Sequence, residues 1–252
     1  MAEPGLPSIR VVAGSEELAE AAAELVIENL GRALSRRGRA RWVLAGGSTP
    51  LAAYRLLAAG GQAVDWSRVD FFWGDERCVP PGAAESNYRA ACDALLDPLG
   101  IEQSRRFRLR GEVPAEQVAG EYDSLVGSTL AAGPWDLVLL GLGSDGHTAS
   151  LFPPRLQPAQ GNEWVVPTQA PEPPSQRVSM TLKALQQARR VVILVGGAAK
   201  ASALARVWSG DPTLHASALR DSAVWCVDQA AARLIRQGTL PTAVHWTSET
   251  SC

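Results

Sequence analysis

Short apolar runs alternate with segments of helical spacing along most of this chain. The apolar runs predict strands, in chain order Ile9–Ala13, Arg41–Ala45, Val69–Trp73, Trp135–Leu140, Val178–Leu182, Val191–Val195 and Ala223–Val227. Apolar residues at every third or fourth position predict helices, namely one behind Ser15, Leu51–Ala59, Ser86–Leu96, Pro114–Ala131, one from Lys200 through Trp208, and Gln229–Arg236. The first helix has Ser15 as its expected N-cap and should end at Arg36, Arg37 and Gly38.

This alternation decides the fold class. Strands that are apolar throughout, separated by amphipathic helices, are typical of a mostly parallel sheet covered by helices on both faces. We therefore expect an α/β fold. No repeat or linker divides the sequence, so residues 1–252 are predicted to form a single domain with 247–252 as a loose tail. Residues 155–174 are rich in proline and glutamine, which predicts a long surface excursion.

Composition narrows the possible partners. The net charge is -2, so no electrostatic signal favours nucleic acid or an anionic membrane as partner. An anionic small molecule stays possible, because a local basic pocket does not need a basic protein. No apolar stretch is long enough to span a bilayer, and residues 1–8 lack the pattern of a secretory signal, so a cytoplasmic location is expected. The four cysteines form no metal-like pattern and are interpreted as free thiols.

Candidate chemistry begins where the predicted strands end. In parallel sheets, ligands bind at the carboxyl ends of the strands, and four of these ends carry polar or glycine-rich segments. Gly46–Pro50 follows one of them and opens a helix, whose first backbone N–H groups can bind a phosphate. The alternative is a tight turn with Thr49 as N-cap, and the residues alone favour neither interpretation.

Gly74–Arg77 follows the next strand and supplies two carboxylates and a guanidinium. These groups can bind polyol hydroxyls, orient a base or hold an oxyanion. A solvated turn with local ion pairs explains the same residues, and for this segment taken alone it is the better explanation. Asn87 comes shortly afterwards, and capping of the next helix is favoured for it over a place in the site.

Gly141–His147 is the strongest candidate, because three glycines, one carboxylate and one imidazole directly follow the most apolar strand. Imidazole titrates near pH ~6.5 and can take a proton from water at neutral pH. Asp145 is two residues from His147, so it can contact substrate hydroxyls or influence the imidazole. A turn histidine bonded to the backbone is the alternative, but the density of glycine and the place at a strand end favour a function.

Two cations, Arg177 and Lys200, lie on separate predicted elements and could meet at the Gly46–Thr49 turn. A phosphate is commonly held by backbone N–H groups together with one arginine and one lysine. For each cation taken alone, an exposed surface side chain is the better explanation. His215 and His245 have no ligand spacing around them and are interpreted as surface or capping residues rather than zinc ligands.

Three of these segments together resemble a known family. Leu44–Pro50, Trp73–Arg77 with Ser86–Tyr88, and Gly141–Pro153 are similar to motifs of the glucosamine-6-phosphate isomerase/6-phosphogluconolactonase family, and specifically of its lactonases. The resemblance runs in order over nearly the whole chain. It implies a three-layer Rossmann-like domain, similar to glucosamine-6-phosphate deaminase, that binds no dinucleotide.

The resemblance also implies an activity, the hydrolysis of 6-phospho-D-glucono-1,5-lactone to 6-phosphogluconate in the second step of the oxidative pentose phosphate pathway. No metal or cofactor is required. His147 would act as the base and Arg77 would assist at the substrate, with Asp145 as the third catalytic residue. The implied substrate and phosphate site consists of Gly46, Gly47, Ser48, Thr49, Asp75, Arg177 and Lys200. The expected partner is a phosphorylated sugar lactone, and the protein is expected to be a monomer or a weak dimer.

Two other functions fit part of this set. An amino-sugar phosphate deaminase would share the phosphate turn, Asp75 and His147. The family resemblance implies, however, that a deaminase also has an essential glutamate shortly after this histidine. Here Thr148–Pro153 contains no acid, which favours the lactonase. A non-catalytic sugar-phosphate sensor would tend to lose the base, whereas Asp145 and His147 are both present.

Overall fold

The computed structural model describes residues 8–60, 64–154, 162–235 and 244–246. Its strands are β1 (Ser8–Val12), β2 (Ala40–Leu44), β3 (Val69–Trp73), β4 (Asp75–Arg77), β5 (Arg106–Phe107), β6 (Leu137–Gly141), β7 (Val165–Gln169), β8 (Gln176–Met180), β9 (Val191–Val195), β10 (Val224–Asp228) and β11 (Val244–Trp246). Its α-helices are α1 (Ser15–Arg37), α2 (Ser48–Ala59), α3 (Asn87–Ala91), α4 (Ala115–Ala131), α5 (Leu182–Leu185), α6 (Ala201–Trp208) and α7 (Gln229–Ala232). A π-helical segment, Cys92–Leu96, continues α3.

The main sheet has eight strands in the order β11-β1-β10-β9-β6-β2-β3-β5, and every neighbouring pair is parallel. β2 and β9 are buried at all five of their positions. Because successive side chains of a strand point to opposite faces, both faces of the sheet must be covered. α1 and α2 pack against each other and against β6. The predicted α/β fold, with a mostly parallel sheet between helices, is confirmed.

A second, antiparallel sheet in the order β4-β8-β7 is not predicted from the sequence. β4 falls where a polar turn is expected, and β7 lies within residues 155–174. The prediction of one continuous surface excursion there is wrong, although residues 155–161 lie outside the described residues. Pro167 interrupts the apolar pattern of β7, and the sheet tolerates this proline because β7 is an edge strand.

The ends of the first two helices follow the predicted local signals only in part. Ser15 is the first residue of α1 and not its N-cap, a position that Gly14 holds without a side-chain bond. Gly38 ends α1 as predicted, with φ 70° and an N–H that donates to the Leu34 carbonyl. α2 starts before the predicted Leu51, because Pro50 lacks only an N–H that the first turn leaves unpaired.

Three further segments differ from prediction or lie outside the described residues. β6 begins two residues late, because Trp135 forms only an isolated bridge with Ala188. α7 ends at Ala232, while Arg236 and the predicted tail 247–252 are outside the described residues. Within the described ranges, no helix combines the length and apolar character that crossing a membrane requires.

The order of the strands creates a crevice between β2 and β6. After β2 the chain runs through α2 to β3 on one side, whereas after β6 it returns to the main sheet as β9 on the other side. At such a reversal the connecting segments diverge, and ligands bind outside the carboxyl ends of the strands. Gly46–Pro50 and Gly141–His147, both predicted to carry chemistry, follow these two strands.

The hydroxyl of Tyr54 fixes the end of β2. This side chain of α2 is fully buried, and its hydroxyl accepts a hydrogen bond from the Ala45 N–H and donates one to the Ala45 carbonyl, both at 3.0 Å. Burial raises the pKa of Tyr54 well above its ordinary value, so the hydroxyl keeps its proton. The backbone just before the glycine turn is thereby held in place by the helix that follows the turn.

Replacing Tyr54 by phenylalanine is expected to lower the free energy of unfolding by about 1–3 kcal/mol, because two buried backbone groups lose their partner. Chemical denaturation followed by tryptophan fluorescence measures the loss. Tyr88→Phe is the matched control, since the Tyr88 hydroxyl donates to Gln103 at an exposed position, and it should change stability by less than about 0.5 kcal/mol. Equal losses in the two variants would contradict the role given to Tyr54.

Candidate active site

A cavity of about 460 Å³ opens at the carboxyl ends of β2, β6 and β9 and extends to the second sheet. The ten site residues predicted from the sequence all line it: Gly46, Gly47, Ser48, Thr49, Asp75, Arg77, Asp145, His147, Arg177 and Lys200. Five separate segments of the chain contribute these residues. The structure therefore brings the predicted set together, while the chemical role of each residue stays a prediction.

His147 and Asp145 form a hydrogen-bonded pair in the loop after β6. The Nδ1 atom of His147 lies 2.6 Å from Oδ1 of Asp145, and the same oxygen accepts the His147 backbone N–H at 3.1 Å. The imidazole also packs against Phe152, with 4.7 Å between the ring centroids. With Nδ1 bound to a carboxylate, the proton sits on Nδ1 and Nε2 is left as the acceptor.

The electrostatics of Asp145 reflect this pairing. Partial burial would raise its pKa, but the hydrogen bond from the His147 backbone and the charge and hydrogen bond of the imidazole outweigh burial. The pKa of Asp145 therefore lies below its ordinary value, and the side chain is a carboxylate at neutral pH. A fixed carboxylate at this distance orients the imidazole.

At two positions of the loop only glycine fits, because a side chain would clash with neighbouring atoms. A Cβ atom on Gly143 would lie 2.2 Å from Nδ1 of His147 and 2.4 Å from Oδ1 of Asp145, so the pair could not form. Gly146 has φ 96°, in the region that favours glycine, and a Cβ there would also meet the side chain of Leu214. The density of glycine in the sequence is thus explained by the close approach of the loop to itself.

The turn after β2 presents the amino end of α2 to the cavity. Gly47 is the N-cap residue, with φ 98° and ψ 163°, a conformation that glycine adopts without strain. No side chain caps this end, and Ser48 and Thr49 are the first residues of the helix. The alternative in which Thr49 is the N-cap is therefore wrong. Uncapped N–H groups at the positive end of a helix are suited to an anion.

Three cations face the same cavity. Arg77 and Arg177 lie opposite each other on the antiparallel strands β4 and β8, and Lys200 follows the glycine turn after β9. Burial, together with the charge of Arg77, holds the pKa of Arg177 below its ordinary value. Among the described residues, no carboxylate forms a salt bridge with any of the three.

Hydrogen bonds already occupy parts of this cationic group. Arg77 donates from Nη1 to the Glu85 carbonyl at 2.5 Å, which leaves its other N–H groups to bind a ligand. The buried Nε of Arg177 has no hydrogen-bond partner in the described structure. Donors without acceptors beside an open cavity indicate a site for an anion.

The prediction that Asn87 caps the next helix is wrong. Ser86 caps α3, since its hydroxyl accepts the Arg89 N–H at 3.2 Å, whereas Asn87 lines the cavity. The Asn87 amide donates to the Asp75 carbonyl at 2.9 Å and, at 3.4 Å, to the Asp75 carboxylate. A Cβ on Gly46 would lie 2.0 Å from the Asn87 side chain, so the two residues share one narrow space.

The second carboxylate of the Gly74–Arg77 segment, Glu76, has a structural role. Glu76 is almost fully buried and accepts hydrogen bonds from the Ser86 hydroxyl and from the backbone N–H groups of Arg77, Asn87 and Tyr88. Burial raises the pKa of Glu76, and these hydrogen bonds offset part of the effect. The carboxylate anchors the start of α3 to β4, which fixes Asn87 at the cavity.

Comparison with known proteins gives this site a family. The model of the family described as glucosamine-6-phosphate isomerases/6-phosphogluconolactonase matches residues 13–227. The chain belongs to this family. The resemblance inferred from the three motifs is thereby confirmed.

Individual members of the family cover almost the whole chain. A 6-phosphogluconolactonase of Mycobacterium leprae is 35% identical, over 90% of this chain and 98% of the relative. One of Streptomyces coelicolor is also 35% identical, over 94% and 98%. The solved structure of 6-phosphogluconolactonase from Trypanosoma brucei is 30% identical with a TM-score of 0.77, over 91% and 99%. A monomeric glucosamine-6-phosphate deaminase shares the fold, with a TM-score of 0.78 at 22% identity.

Several cavity residues were not predicted as site residues from the sequence. Ser150 and Phe152 belong to the recognised motif but carry no obvious chemistry, and Asn87 was assigned to a cap. Ala170–Glu172 is the first part of the connection from β7 to β8, and it lines the cavity from a segment expected to be a surface excursion. Only the existence of the second sheet brings this connection near the site, and the proline-rich composition gives no signal for it.

The remaining candidates whose side chains the structure describes are not among the residues that line the cavity. His215 is interpreted from the sequence as a surface or capping residue; it is buried, so the surface alternative is wrong, and it is the first residue of a 3-10 helix, His215–Leu219. The side chain of His245 lies outside the described residues. Cys78, Cys92 and Cys226 are free thiols. Within the described ranges, no cluster of histidine, cysteine and acidic residues could hold a metal ion.

Removing the imidazole in His147→Ala is expected to raise the pKa of Asp145, because the charge and hydrogen bond of the ring are lost while burial remains. An NMR titration of carboxyl carbons measures this shift. Asp211, whose pKa is lowered to about 2 chiefly by Thr213, should not move and serves as internal control. An unchanged Asp145 would show that the pair in the loop is not formed.

The sign of the accompanying stability change follows from linkage. A carboxyl group whose pKa is lowered by folding stabilises the fold at pH values above the unfolded pKa. That contribution is lost as the pH falls through the lowered pKa of Asp145. The parent should therefore lose more stability than His147→Ala on acidification through this range.

Proposed function

We propose that this chain hydrolyses 6-phospho-D-glucono-1,5-lactone to 6-phosphogluconate, the second step of the oxidative pentose phosphate pathway, with water activated by His147. The observation that carries the proposal is the coexistence, in one cavity, of the His147–Asp145 pair and three cations that form no salt bridge with the described residues. One part of the cavity suits a proton transfer and the other suits a phosphate. Family membership and the names of the relatives support the same substrate.

The phosphate group provides the anchor. Lys200 and Arg177 supply charge, and the uncapped N–H groups of Ser48 and Thr49 supply directed hydrogen bonds at the positive end of α2. Binding a non-reacting part of the substrate in this way fixes the distance between the lactone carbonyl and the base.

His147 then acts as general base. Its Nδ1 proton is held by Asp145, so Nε2 takes a proton from water as the water oxygen forms a bond to carbonyl carbon C1. Asp145 keeps the imidazole in the required tautomer and stabilises the imidazolium that forms. The step converts the carbonyl into a tetrahedral intermediate with negative charge on its oxygen.

Collapse of this intermediate completes the reaction. Free N–H groups of Arg77 stabilise the negative oxygen, since only one of its guanidinium nitrogens is engaged with the Glu85 carbonyl. The bond between C1 and the ring oxygen breaks, and the proton on Nε2 of His147 passes to that oxygen. The lactone has gained one water, and the imidazole returns to its starting state.

His147→Ala is expected to lower the enzyme-catalysed rate by about 10²–10⁴-fold, the range that a positioned general base contributes. The assay follows freshly made 6-phosphogluconolactone and subtracts its spontaneous hydrolysis. Binding of 6-phosphogluconate, measured by calorimetry, should persist because the anchoring groups lie on other elements.

Ser144→Ala is the matched control for this experiment, because Ser144 is an exposed hydroxyl in the same loop and the same cavity. It should retain the parent rate, since the proposed reaction has no serine nucleophile. A fully active His147→Ala variant, or an inactive Ser144→Ala variant, would overturn the mechanism.

Lys200→Ala is expected to weaken binding of 6-phosphogluconate by about 10–100-fold, because hydrogen bonds to charged groups contribute about 1.5–3 kcal/mol. Gluconate, which lacks the phosphate, should bind Lys200→Ala and the parent equally. Lys183→Ala is the control, since this lysine packs on Trp164 and donates to the Asn162 carbonyl away from the cavity. If Lys200→Ala weakened gluconate as strongly as 6-phosphogluconate, the assignment of Lys200 to the phosphate would be wrong.

A further inference from the structure

We propose that Ser150 is a positioning residue that sets the distance of His147 from the Arg77–Arg177 pair. The proposal rests on the function proposed above. Ser150 is three residues after His147, is buried, and lines the cavity. It ties the catalytic loop of the main sheet to the second sheet, which carries both arginines.

Ser150 makes two hydrogen bonds to one cross-strand pair. Asp75 of β4 and Ser179 of β8 lie directly opposite each other in the antiparallel register. The Ser150 hydroxyl donates to Oδ2 of Asp75 at 2.5 Å, and the Ser150 N–H donates to the Ser179 hydroxyl at 3.2 Å. Both bonds are buried, where an unmade hydrogen bond is costly, so the loop has one favoured position against the second sheet.

The backbone between His147 and Ser150 has little conformational freedom. Thr148 donates from its hydroxyl to the Gly141 carbonyl at 3.0 Å, and the Leu151 N–H donates to the Thr148 carbonyl at 3.0 Å. Ala149 has φ 48°, a left-handed conformation that is unfavourable for alanine and persists only where neighbours impose it. A shift of Ser150 is therefore transmitted to His147.

The two hydrogen bonds of Ser150 to Asp75 and Ser179, called the clamp below, also fix the loop relative to the cations. Arg77 and Arg177 form the pair two residues beyond Asp75 and Ser179 in the same register. The pairing of β4 with β8 holds the arginines whether or not Ser150 is bonded. Loss of the clamp should move His147 relative to the arginines, and leave the groups that anchor the phosphate in place.

In this proposal Asp75 positions the loop and takes no direct part in proton transfer. Its carboxylate accepts the Ser150 hydroxyl on one oxygen and, more weakly, the Asn87 amide on the other. A carboxylate held on both oxygens is a fixed acceptor, suited to orienting the loop. In this arrangement Ser150 acts through His147, and it does not need to touch the reacting atoms.

Ser150→Ala is expected to lower kcat about ten- to hundredfold, since a displacement near 1 Å of a catalytic group has an effect of this size. KM and the calorimetric Kd for 6-phosphogluconate should stay within about twofold of the parent. In a His147→Ala background, adding Ser150→Ala should cause no further loss of rate, because the residue through which Ser150 acts is already absent.

Thr181→Ala is the matched control. Thr181 is a buried hydroxyl just after β8, where it caps α5 by accepting the Ala184 N–H and donates to the Glu163 carbonyl. Its removal should lower the unfolding temperature and leave kcat unchanged. If Ser150→Ala does not fold, Ser179→Ala removes the other bond of the clamp and should give a kcat loss of the same kind with KM retained.

The outcomes separate this inference from the function on which it rests. A parent protein without lactonase activity overturns the proposed function, and the inference falls with it. An active parent with a Ser150→Ala variant of equal kcat overturns the inference alone. If Ser150→Ala lowers the rate further in the His147→Ala background, Ser150 does not act through His147 and the inference is overturned. If Thr181→Ala lowers kcat as much as Ser150→Ala, the role of Ser150 is merely structural and the inference is overturned as well.

Discussion

The cavity depends on the parallel pairing of β2, β6 and β9, because parallel strands bring their carboxyl ends to the same edge of a sheet. The segments after these strands supply the helix end at Ser48, the His147–Asp145 pair and Lys200. None of the three segments is adjacent in sequence to another. The sheet therefore brings together a helix amino end, an imidazole–carboxylate pair and a cation that are far apart in the sequence.

A second constraint is space at the points where the segments meet. Gly143 lies so close to His147 and Asp145 that a single added carbon would part them, and Gly46 lies equally close to Asn87. Glycine at these positions is a condition for the side chains to reach each other. The site therefore uses its glycines for close packing as much as for backbone freedom, which Gly47, Gly146 and Gly197 need through a positive φ.

The sequence predicted what depends on local pattern and failed where tertiary contacts decide. The apolar strands of the main sheet were foreseen because a strand buried on both faces is apolar throughout. β4 and β7 were missed because each is short or polar and becomes a strand only by pairing with β8. The ten predicted site residues, which follow from segments at strand ends and from the family resemblance, all line the cavity. Asn87 and Ser150 are not among them, since their places depend on contact with Asp75.

The balance of hydrogen-bond donors and acceptors indicates what the cavity is built to receive. Its carboxylates Asp75 and Asp145 each accept hydrogen bonds from neighbouring residues, and Glu172 is exposed to water. Its cations have no carboxylate partner among the described residues, and the buried Nε of Arg177 has no acceptor. The unsatisfied groups are therefore donors, and a dianion beside a polarisable carbonyl would satisfy them. A neutral sugar would offer these cations no opposite charge, which supports the proposal that the phosphate is the part of the ligand that this cavity anchors.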